Sequence, residues 1–283
     1  MPLPQSMMLS LAEPGRTGHR LGQMGAAGAV GSGASLVLAW ALMTWKVPLR
    51  GIFLLAGGAA MLAAVACLGI PRRIKTPGAC LVFQRKYGLY YALCFLEGWR
   101  KQIFIAFAAY LLVRRHGVRP RDMLLLWMVV NVISWIASPR VGRLIDRIGE
   151  RRILTFYFTS LIWVFVGYAF VPNVYVLYGL FILDSSFFVF NTALTTYVSR
   201  IAPPAEHTAT LSMGVAMNHV AAVTMPFVGG LVWDRLGYRW TFLMGAVAAA
   251  LAIAVARRVP AHLPAGAAPI LVRGGSPSDP QEA

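Results

Sequence analysis

Four ionisable side chains stand inside long apolar stretches of this sequence. The stretch CFLEGWRKQIFIAF, which begins at Cys94, carries Glu97, Arg100 and Lys101, and Asp184 stands in a later apolar run. A carboxylate can bind and release a proton, and a guanidinium or ammonium group can hold an anion. Because Glu97 lies three and four residues before the two basic residues, all three share one helix face and can pair locally.

The composition indicates which solvent surrounds those charges. Hydrophobic residues make up 58% of the 283 residues and charged residues 13%, compared with about 25% charged residues in ordinary soluble domains. A soluble chain of this length cannot bury so much apolar surface, so we expect an integral membrane protein with lipid as a partner. The basic residues behind the net charge of +16 cluster in short gaps between apolar runs. Such clusters are topology signals, so we do not expect nucleic-acid binding.

Eight continuous apolar spans predict an all-α, polytopic membrane protein with about eight transmembrane helices. About 20 helical residues cross a hydrocarbon core about 30 Å thick, and continuous apolarity differs from the alternating pattern of barrel strands. Spans 1 to 8 cover residues 27–45, 51–70, 88–113, 123–139, 153–171, 174–199, 209–233 and 240–257. Residues 259–283 are rich in Pro, Gly, Ala and Ser and are predicted to be a disordered tail.

The orientation follows from the basic residues, because Lys and Arg favour the cytoplasmic side of short loops. Alternate gaps hold 15 basic residues on the side of the termini and 8 on the other side. Both termini are therefore predicted to lie in the cytoplasm, with the chain in the cell (inner or plasma) membrane, although the cluster RRHGVRPR falls on the outer side. The start MPLPQSMMLSLAEPG has no basic leader and no long apolar core, so it does not read as a secretory signal peptide.

We predict no metal, no cofactor and no enzyme active site. Cys67, Cys80 and Cys94 form no CxxC pair and have no His at ligand spacing, so small buried hydrophobic residues are the preferred interpretation. The sequence contains no HExxH, no GxSxG and no pair of aspartates on facing spans. An intramembrane enzyme is therefore not expected.

An internal repeat relates spans 1 and 2 to spans 7 and 8. After a shift of 189 residues, Met24 falls on Met213 and Arg50 falls on Arg239, without a gap from 24 to 67. The first two spans thus look like a copy of the last two. Spans 3 to 8 would then form one complete six-span unit, and only the last two spans of the preceding unit would be present.

The segment GRLIDRIGERR, from Gly142 to Arg152, lies between spans 4 and 5. Its glycines allow close approach of helix ends and a tight turn. Asp146 can accept hydrogen bonds from free backbone N–H groups at the start of a neighbouring helix, and Arg147 and Arg151 suit the inner membrane surface. The other interpretation is an ordinary basic, turn-forming loop.

This segment resembles the signature loop of the major facilitator superfamily of secondary transporters. The family form is glycine, three residues, aspartate, a basic residue, any residue, glycine, and then basic residues. The matching positions are Gly142, Asp146, Arg147, Gly149, Arg151 and Arg152. Glu150 stands where the family usually has a basic residue. In the family this conformational loop joins the second and third helices of a six-helix half, as it does within spans 3 to 8.

Two further segments extend the resemblance. GLVWDRLGYR, from Gly230 to Arg239, is a shorter echo of the signature loop, and the three spans between the copies place them on opposite sides of the membrane. PFVGG, which begins at Pro226, resembles the tail of a motif in the fifth helix of family antiporters. A kinked, closely packed helix end is the preferred interpretation of PFVGG.

The resemblance implies a domain organisation. Spans 3 to 8 correspond to family helices seven to twelve, and spans 1 and 2 to helices five and six. Residues 1–86 are then a remnant of the N-terminal half plus the central cytoplasmic loop, and residues 87–258 are the C-terminal six-helix half. Helices one to four would be missing, so we expect a truncated transporter; a wrongly assigned start codon, a gene fragment or a half-size product would each explain it.

The resemblance also implies a site. In the family the first and fourth helices of each half line the central cavity, which here are spans 3 and 6, the spans that carry all four charges. Arg100 or Lys101 would hold an anionic solute, and Glu97 or Asp184 would take a proton whose binding shifts the inward–outward equilibrium. A salt-bridge lock between helices without a substrate role is the other interpretation.

Uncharged polar residues complete the candidate set. Asn131 and Asn191 are further candidates for the cavity, although hydrogen bonds between helices are the commoner role of such residues. Asn218 and His219 also lie within a span, and packing is the preferred interpretation of His219. The prediction is a permease that moves a small organic solute, with an anion favoured as the solute and a proton as the coupling ion. A non-transporting membrane scaffold or gene fragment is the alternative.

Overall fold

The computed structural model describes residues 4–5, 8–9, 16–69 and 83–260, and these residues form helices and no β-strand. Each helix is numbered by its span. The helices are α1 (Thr17–Thr44), α2 (Leu49–Leu68), α3a (Gly88–Gln102), α3b (Ala109–His116), α4 (Pro120–Ile148), α5 (Glu150–Phe170), α6a (Val174–Ser186), α6b (Thr192–Ile201), α7 (His207–Leu236) and α8 (Tyr238–Ala256). The all-α prediction is confirmed, whereas most of the central loop and the tail beyond Pro260 lie outside the described residues.

Seven helical segments in the described part of the chain are long and apolar enough to cross a membrane. They correspond to all the predicted spans except span 3. Span 3 is also helical from Gly88 to His116, but it is divided into α3a, a π-helical turn at Ile103–Ala108 and α3b. The polytopic membrane fold is therefore confirmed.

Several helices extend well beyond the predicted spans. α1 begins at Thr17 instead of residue 27, and α4 covers Pro120–Ile148 instead of 123–139. The predicted loop GRLIDRIGERR is therefore mostly helical, and Gly149 alone separates α4 from α5. Hydropathy marks the edge of the hydrocarbon, whereas a helix ends only where its backbone hydrogen bonds end, so polar helix ends were mistaken for loop.

Both spans that carry buried charges are interrupted close to those charges. The π-helical turn at Ile103–Ala108 begins two residues after Lys101, and a 3-10 turn at Phe187–Asn191 begins three residues after Asp184. π-helical turns and mid-helix 3-10 turns occur frequently at functional sites and hinges. These interruptions also change the direction in which the following side chains project.

The core of the six-helix unit lies where α5, α8, α3a and α7 pack together. Tyr157, Phe165 and Phe242 are fully buried there. α8 contributes small residues to this contact, and a Cβ added at Gly245 would lie 3.0 Å from the ring of Phe165. Large aromatic residues from α5 thus fill the space that alanine and glycine leave along α8.

α1 packs closely along α4, whereas α2 is exposed. A Cβ at Gly18 would lie 2.5 Å from the carbonyl oxygen of Gly142, and one at Gly22 would overlap the carbonyl of Ser138. The two backbones therefore touch through small residues. By contrast, the residues of α2 from Phe53 onward are all exposed, although its repeat counterpart α8 is packed in the core.

Candidate functional site

A sealed ionic cluster joins spans 3, 5 and 6. Arg100 Nη2 lies 2.6 Å from Glu97 Oε1, and Arg100 Nη1 lies 2.8 Å from Asp184 Oδ1. The Tyr157 hydroxyl donates to Glu97 Oε2 at 2.8 Å, and Arg100 Nε donates to the same oxygen at 3.1 Å. The side chains of Arg100 and Asp184 are 0% exposed and that of Glu97 is 1% exposed. The predicted pairing of Glu97 with Arg100 is confirmed, and the cluster is closed to solvent in this conformation.

The helices that position the cluster also wall it with aromatic rings. Glu97 and Arg100 lie one turn apart on α3a, and Asp184 lies in the last turn of α6a. The guanidinium carbon of Arg100 is 4.6 Å from the ring centroid of Phe188 and 5.3 Å from that of Tyr157. A desolvated guanidinium gains up to about 2 kcal/mol from such a contact, so the rings stabilise Arg100 while they exclude water.

The charges of this cluster do not balance when all groups are ionised. Two carboxylates face one guanidinium, which leaves a net charge of −1 in a buried site. Among the described residues, Asp184 Oδ2, Ser185 Oγ and the Tyr168 hydroxyl are buried without a hydrogen-bond partner. An uncompensated buried charge is costly. A single proton on the free oxygen of Asp184 would neutralise the cluster, so the arrangement is chemically suited to bind and release one proton.

Lys101 faces away from this cluster. Its ammonium group donates to Asn218 Oδ1 on α7 at 2.5 Å, and Asn218 Nδ2 donates to the carbonyl of Cys94 at 3.3 Å. The local pairing of Lys101 with Glu97 that the sequence allowed is not formed, because Arg100 occupies the carboxylates of Glu97 and Asp184. Successive helical residues project about 100° apart, so the two adjacent basic residues reach different neighbours.

A polar cavity of about 280 Å³ lies beside Lys101. Its polar lining consists of Gln5 near the N-terminus and of residues from spans 3, 6 and 7, which include Tyr90, Lys101, Asn191, Thr195, Asn218 and His219. The structure therefore brings Asn191 to the same cavity as Lys101. Asn218, for which hydrogen bonds between helices were expected, and His219, for which packing was expected, line it as well. The volume lies near the lower limit, about 300 Å³, of ordinary small-molecule pockets.

Asn131 lies at a different cavity. Its Nδ2 donates to the carbonyl of Trp127 on the same helix at 2.9 Å. It borders a cavity of about 390 Å³ that is also lined by Ser32 of α1 and by Ser185 and Phe188 of span 6. Phe188 is the same residue that stacks on the Arg100 guanidinium. Phe188 therefore stands between the sealed cluster and this second cavity.

The GRLIDRIGERR segment joins α4 to the start of α1. Asp146 Oδ1 accepts from the backbone N–H of Gly18 and Asp146 Oδ2 from that of His19, both at 2.9 Å. α1 has no side-chain cap of its own and no acidic residue in its first turn. Asp146 therefore supplies the missing N-terminal cap from another helix. The contact expected for Asp146 with a neighbouring helix start is present.

Glu150, the departure from the family pattern, has a partner. Glu150 Oε1 lies 2.8 Å from Arg200 Nε at the end of α6b, and the Glu150 side chain is 5% exposed. An acidic residue at this position thus ties the start of α5 to span 6. We call this end of the membrane the motif end. Of the four basic residues in the segment, Arg143, Arg147 and Arg152 are exposed and Arg151 is half-buried.

A second contact at the motif end was missed by the sequence analysis. Lys86 Nζ lies 2.7 Å from Glu206 Oε2, and the Tyr87 hydroxyl donates to that oxygen at 2.7 Å. The hydrogen bond to Glu206 raises the pKa of Lys86, and burial together with the hydrogen bond to Glu206 raises the pKa of Tyr87 to about 12. The available signal was a pair of opposite charges at the same end of spans 3 and 7.

A search of curated proteins found no significant match. A family model described as Major Facilitator Superfamily matches residues 90–272, which is more than half of the chain. This match covers all but the first few residues of spans 3 to 8, together with the ionic cluster and the GRLIDRIGERR segment. The chain is therefore a multi-pass membrane protein that belongs to the major facilitator superfamily of transporters.

Proposed function

We propose that the chain is a secondary transporter that moves a small organic anion by alternating access, with protons as the coupling ion. The observation that carries the proposal is Lys101, an ammonium group near the middle of span 3 that lines a polar cavity and bonds to an amide rather than to a carboxylate. Ionisable groups within spans are costly and usually mark a solute or ion pathway. An anionic solute would replace Asn218 as the partner of Lys101.

Proton coupling is assigned to the sealed cluster. Because its ionised form carries one excess negative charge, Asp184 is the group whose protonation changes the charge from −1 to neutral. Release of this proton leaves a buried charge, which favours a conformation in which the cluster is hydrated. Proton binding at Asp184 would thereby shift the equilibrium between the two access states.

Phe188 is proposed to control the access of solvent to the cluster. Its ring covers Arg100 and also lines the cavity between α1, α4 and span 6. It lies in the 3-10 turn Phe187–Asn191, where the helix is already interrupted. Displacement of α1 against α4 would change this cavity and let Phe188 turn, which would open Arg100 and Asp184 to water.

Substitution of Lys101 tests the anion site. Uptake of labelled mono- and dicarboxylates and phosphate monoesters would be measured in proteoliposomes with an inward proton gradient. Lys101→Met is expected to raise KM by about tenfold or more, because a charge-assisted hydrogen bond contributes about 1.5–3 kcal/mol. Lys101→Arg retains part of the affinity, and Lys46→Met, which removes an exposed lysine outside the cavity, leaves KM unchanged. Normal anion uptake by Lys101→Met would remove the proposed site.

Substitution of Asp184 tests the proton site. Asp184→Asn keeps the size of the side chain and removes its ionisation, so uptake is expected to lose its dependence on the proton gradient. Glu97→Gln removes the excess negative charge through the other carboxylate but keeps an ionisable Asp184 paired with Arg100, so uptake is expected to keep a pH dependence that is shifted to lower pH. An unchanged pH profile in Asp184→Asn would eliminate proton coupling at this residue.

A non-transporting membrane protein is the second candidate, and the exposure of α2 favours it. An apolar helix that is exposed along most of its length contributes little to closing a cavity between two bundles. This candidate predicts a folded chain that transports no solute from the panel and does not respond to a proton gradient. Solute-dependent flux through the purified chain would reject it.

A further inference from the structure

A basic cavity of about 670 Å³ lies at the motif end between α1 and α4. Its lining consists of Arg16, His19, Arg20, Gln23, Arg143, Asp146 and Arg147. Arg16 and Arg20 lie one turn apart at the start of α1, and Arg143 and Arg147 lie one turn apart near the end of α4. Each of the two helices thus presents a pair of arginines to one opening.

The cavity has an excess of positive charge. Its single carboxylate, Asp146, already accepts two backbone hydrogen bonds from the start of α1. Arg143 and Arg147 are exposed, and neither forms an ion pair with any residue in the described part of the chain. Guanidinium groups bind phosphate oxygens in a bidentate geometry. The chemistry of the cavity therefore fits a phosphate-bearing anion.

The position of the cavity indicates where that phosphate comes from. Arg147 is the residue before the last residue of α4, and Arg143 lies one turn earlier, so both stand at the depth of lipid headgroups. Leu144 is 41% exposed and Ile148 is 38% exposed beside them. An apolar strip next to exposed arginines suits a ligand that has both a charged head and an acyl chain.

We propose that the cavity between α1 and α4 binds the phosphate group of an anionic phospholipid, with an acyl chain along Leu144 and Ile148. Basic pockets between transmembrane helices bind anionic headgroups in this way. Because arginines from both helices contact the phosphate, the bound lipid stabilises the contact between α1 and α4 at the motif end.

The test is lipid binding by the purified full chain in detergent, followed by native mass spectrometry. Phosphatidylglycerol is titrated against phosphatidylcholine, which has a phosphate but no net charge. The unsubstituted chain is expected to prefer phosphatidylglycerol. The double variant Arg143→Gln/Arg147→Gln is expected to lose about tenfold or more in affinity for it, because both guanidinium groups that α4 presents to the phosphate are removed.

Two controls make the result specific. Arg257→Gln/Arg258→Gln removes two exposed arginines from the same membrane end, outside the cavity, and is expected to keep the preference. Arg143→Lys/Arg147→Lys keeps the charge but loses the bidentate geometry, so its affinity is expected to lie between those of the unsubstituted chain and the Gln variant, which separates loss of binding from loss of folding. An equal loss in the Arg257/Arg258 variant overturns the proposal. So does displacement of phosphatidylglycerol by equimolar inorganic phosphate, which would identify a soluble anion site. The measurement needs no transport activity, so its outcome is independent of the proposed function.

Discussion

Two similar segments, GRLIDRIGERR (142–152) and GLVWDRLGYR (230–239), lie at opposite ends of the membrane and share one backbone design. In each, a long helix ends at a single glycine with positive φ and the next helix begins at once. Gly149 has φ 83° and ψ 158°, and Gly237 has φ 93° and ψ 163°. The same letters therefore produce the same local structure.

Their tertiary contacts differ. Asp146 accepts two hydrogen bonds from the start of α1, whereas Asp234 is exposed and has no hydrogen bond or ion pair among the described residues. The second segment is instead bordered by a cation–π contact in which the Arg115 guanidinium lies 4.6 Å from the ring centroid of Tyr238. The aspartate of this segment therefore acquires a structural role only where another helix begins beside it.

The two segments are expected to differ most in how their first glycines, Gly142 and Gly230, tolerate a larger side chain. A Cβ at Gly142 would overlap the Gly18 carbonyl, whereas one at Gly230 meets nothing within 4 Å. Gly142→Ala is expected to lower the free energy of unfolding by about 2–3 kcal/mol because two backbones must separate. Gly230→Ala should be neutral or slightly stabilising. Thermal unfolding of the two variants in the same detergent measures the difference, and equal melting temperatures would contradict it.

A second pair of substitutions tests the backbone conformation that Gly149 and Gly237 have in common. Both connecting glycines occupy a region that essentially only glycine adopts, so Gly149→Ala and Gly237→Ala should each cost about 2 kcal/mol. The same unfolding assay measures both. A cost at Gly149 alone would mean that the two connections are not equivalent.

A smaller effect separates the two aspartates. Asp146→Ala removes a helix cap and should cost about 1 kcal/mol, whereas Asp234→Ala should stay within about 0.5 kcal/mol. Hydrogen exchange gives a sharper readout, because the amides of Gly18 and His19 should exchange faster in Asp146→Ala only. Equal protection of these amides in both variants would refute the capping role.

The smallest change in stability is expected from loss of the cation–π contact between Arg115 and Tyr238 in the second segment. Arg115→Gln removes an exposed cation–π contact with Tyr238 and should cost about 0.5–1 kcal/mol. Arg114→Gln, the adjacent exposed arginine, is the matched control and should have no effect. If both variants unfold alike, the contact with Tyr238 does not stabilise this end.

Much of the fold was predictable because hydropathy is a property of consecutive residues. The eight spans and the special character of Gly142 to Arg152 could be predicted from the sequence, and so could the preference of Asp146 for a helix start. The ends of α1 and α4 were placed wrongly, because polar residues at Thr17 and beyond Pro139 continue the helix outside the hydrocarbon. The contacts of Glu150 with Arg200 and of Lys86 with Glu206 depend on neighbours that only the fold brings together.

The site divides in the same way. The ionisable residues of the site and their location inside the spans could be predicted from the sequence alone. The pairing of Glu97 with Arg100 could be predicted as well, since residues one turn apart on a helix must be neighbours. Only the tertiary structure decided that Arg100 rather than Lys101 binds Asp184, that Lys101 faces the polar cavity, and that Phe188 covers the cluster. These choices depend on the rotation and depth of one helix against another, and packing of whole side-chain surfaces sets both of these quantities.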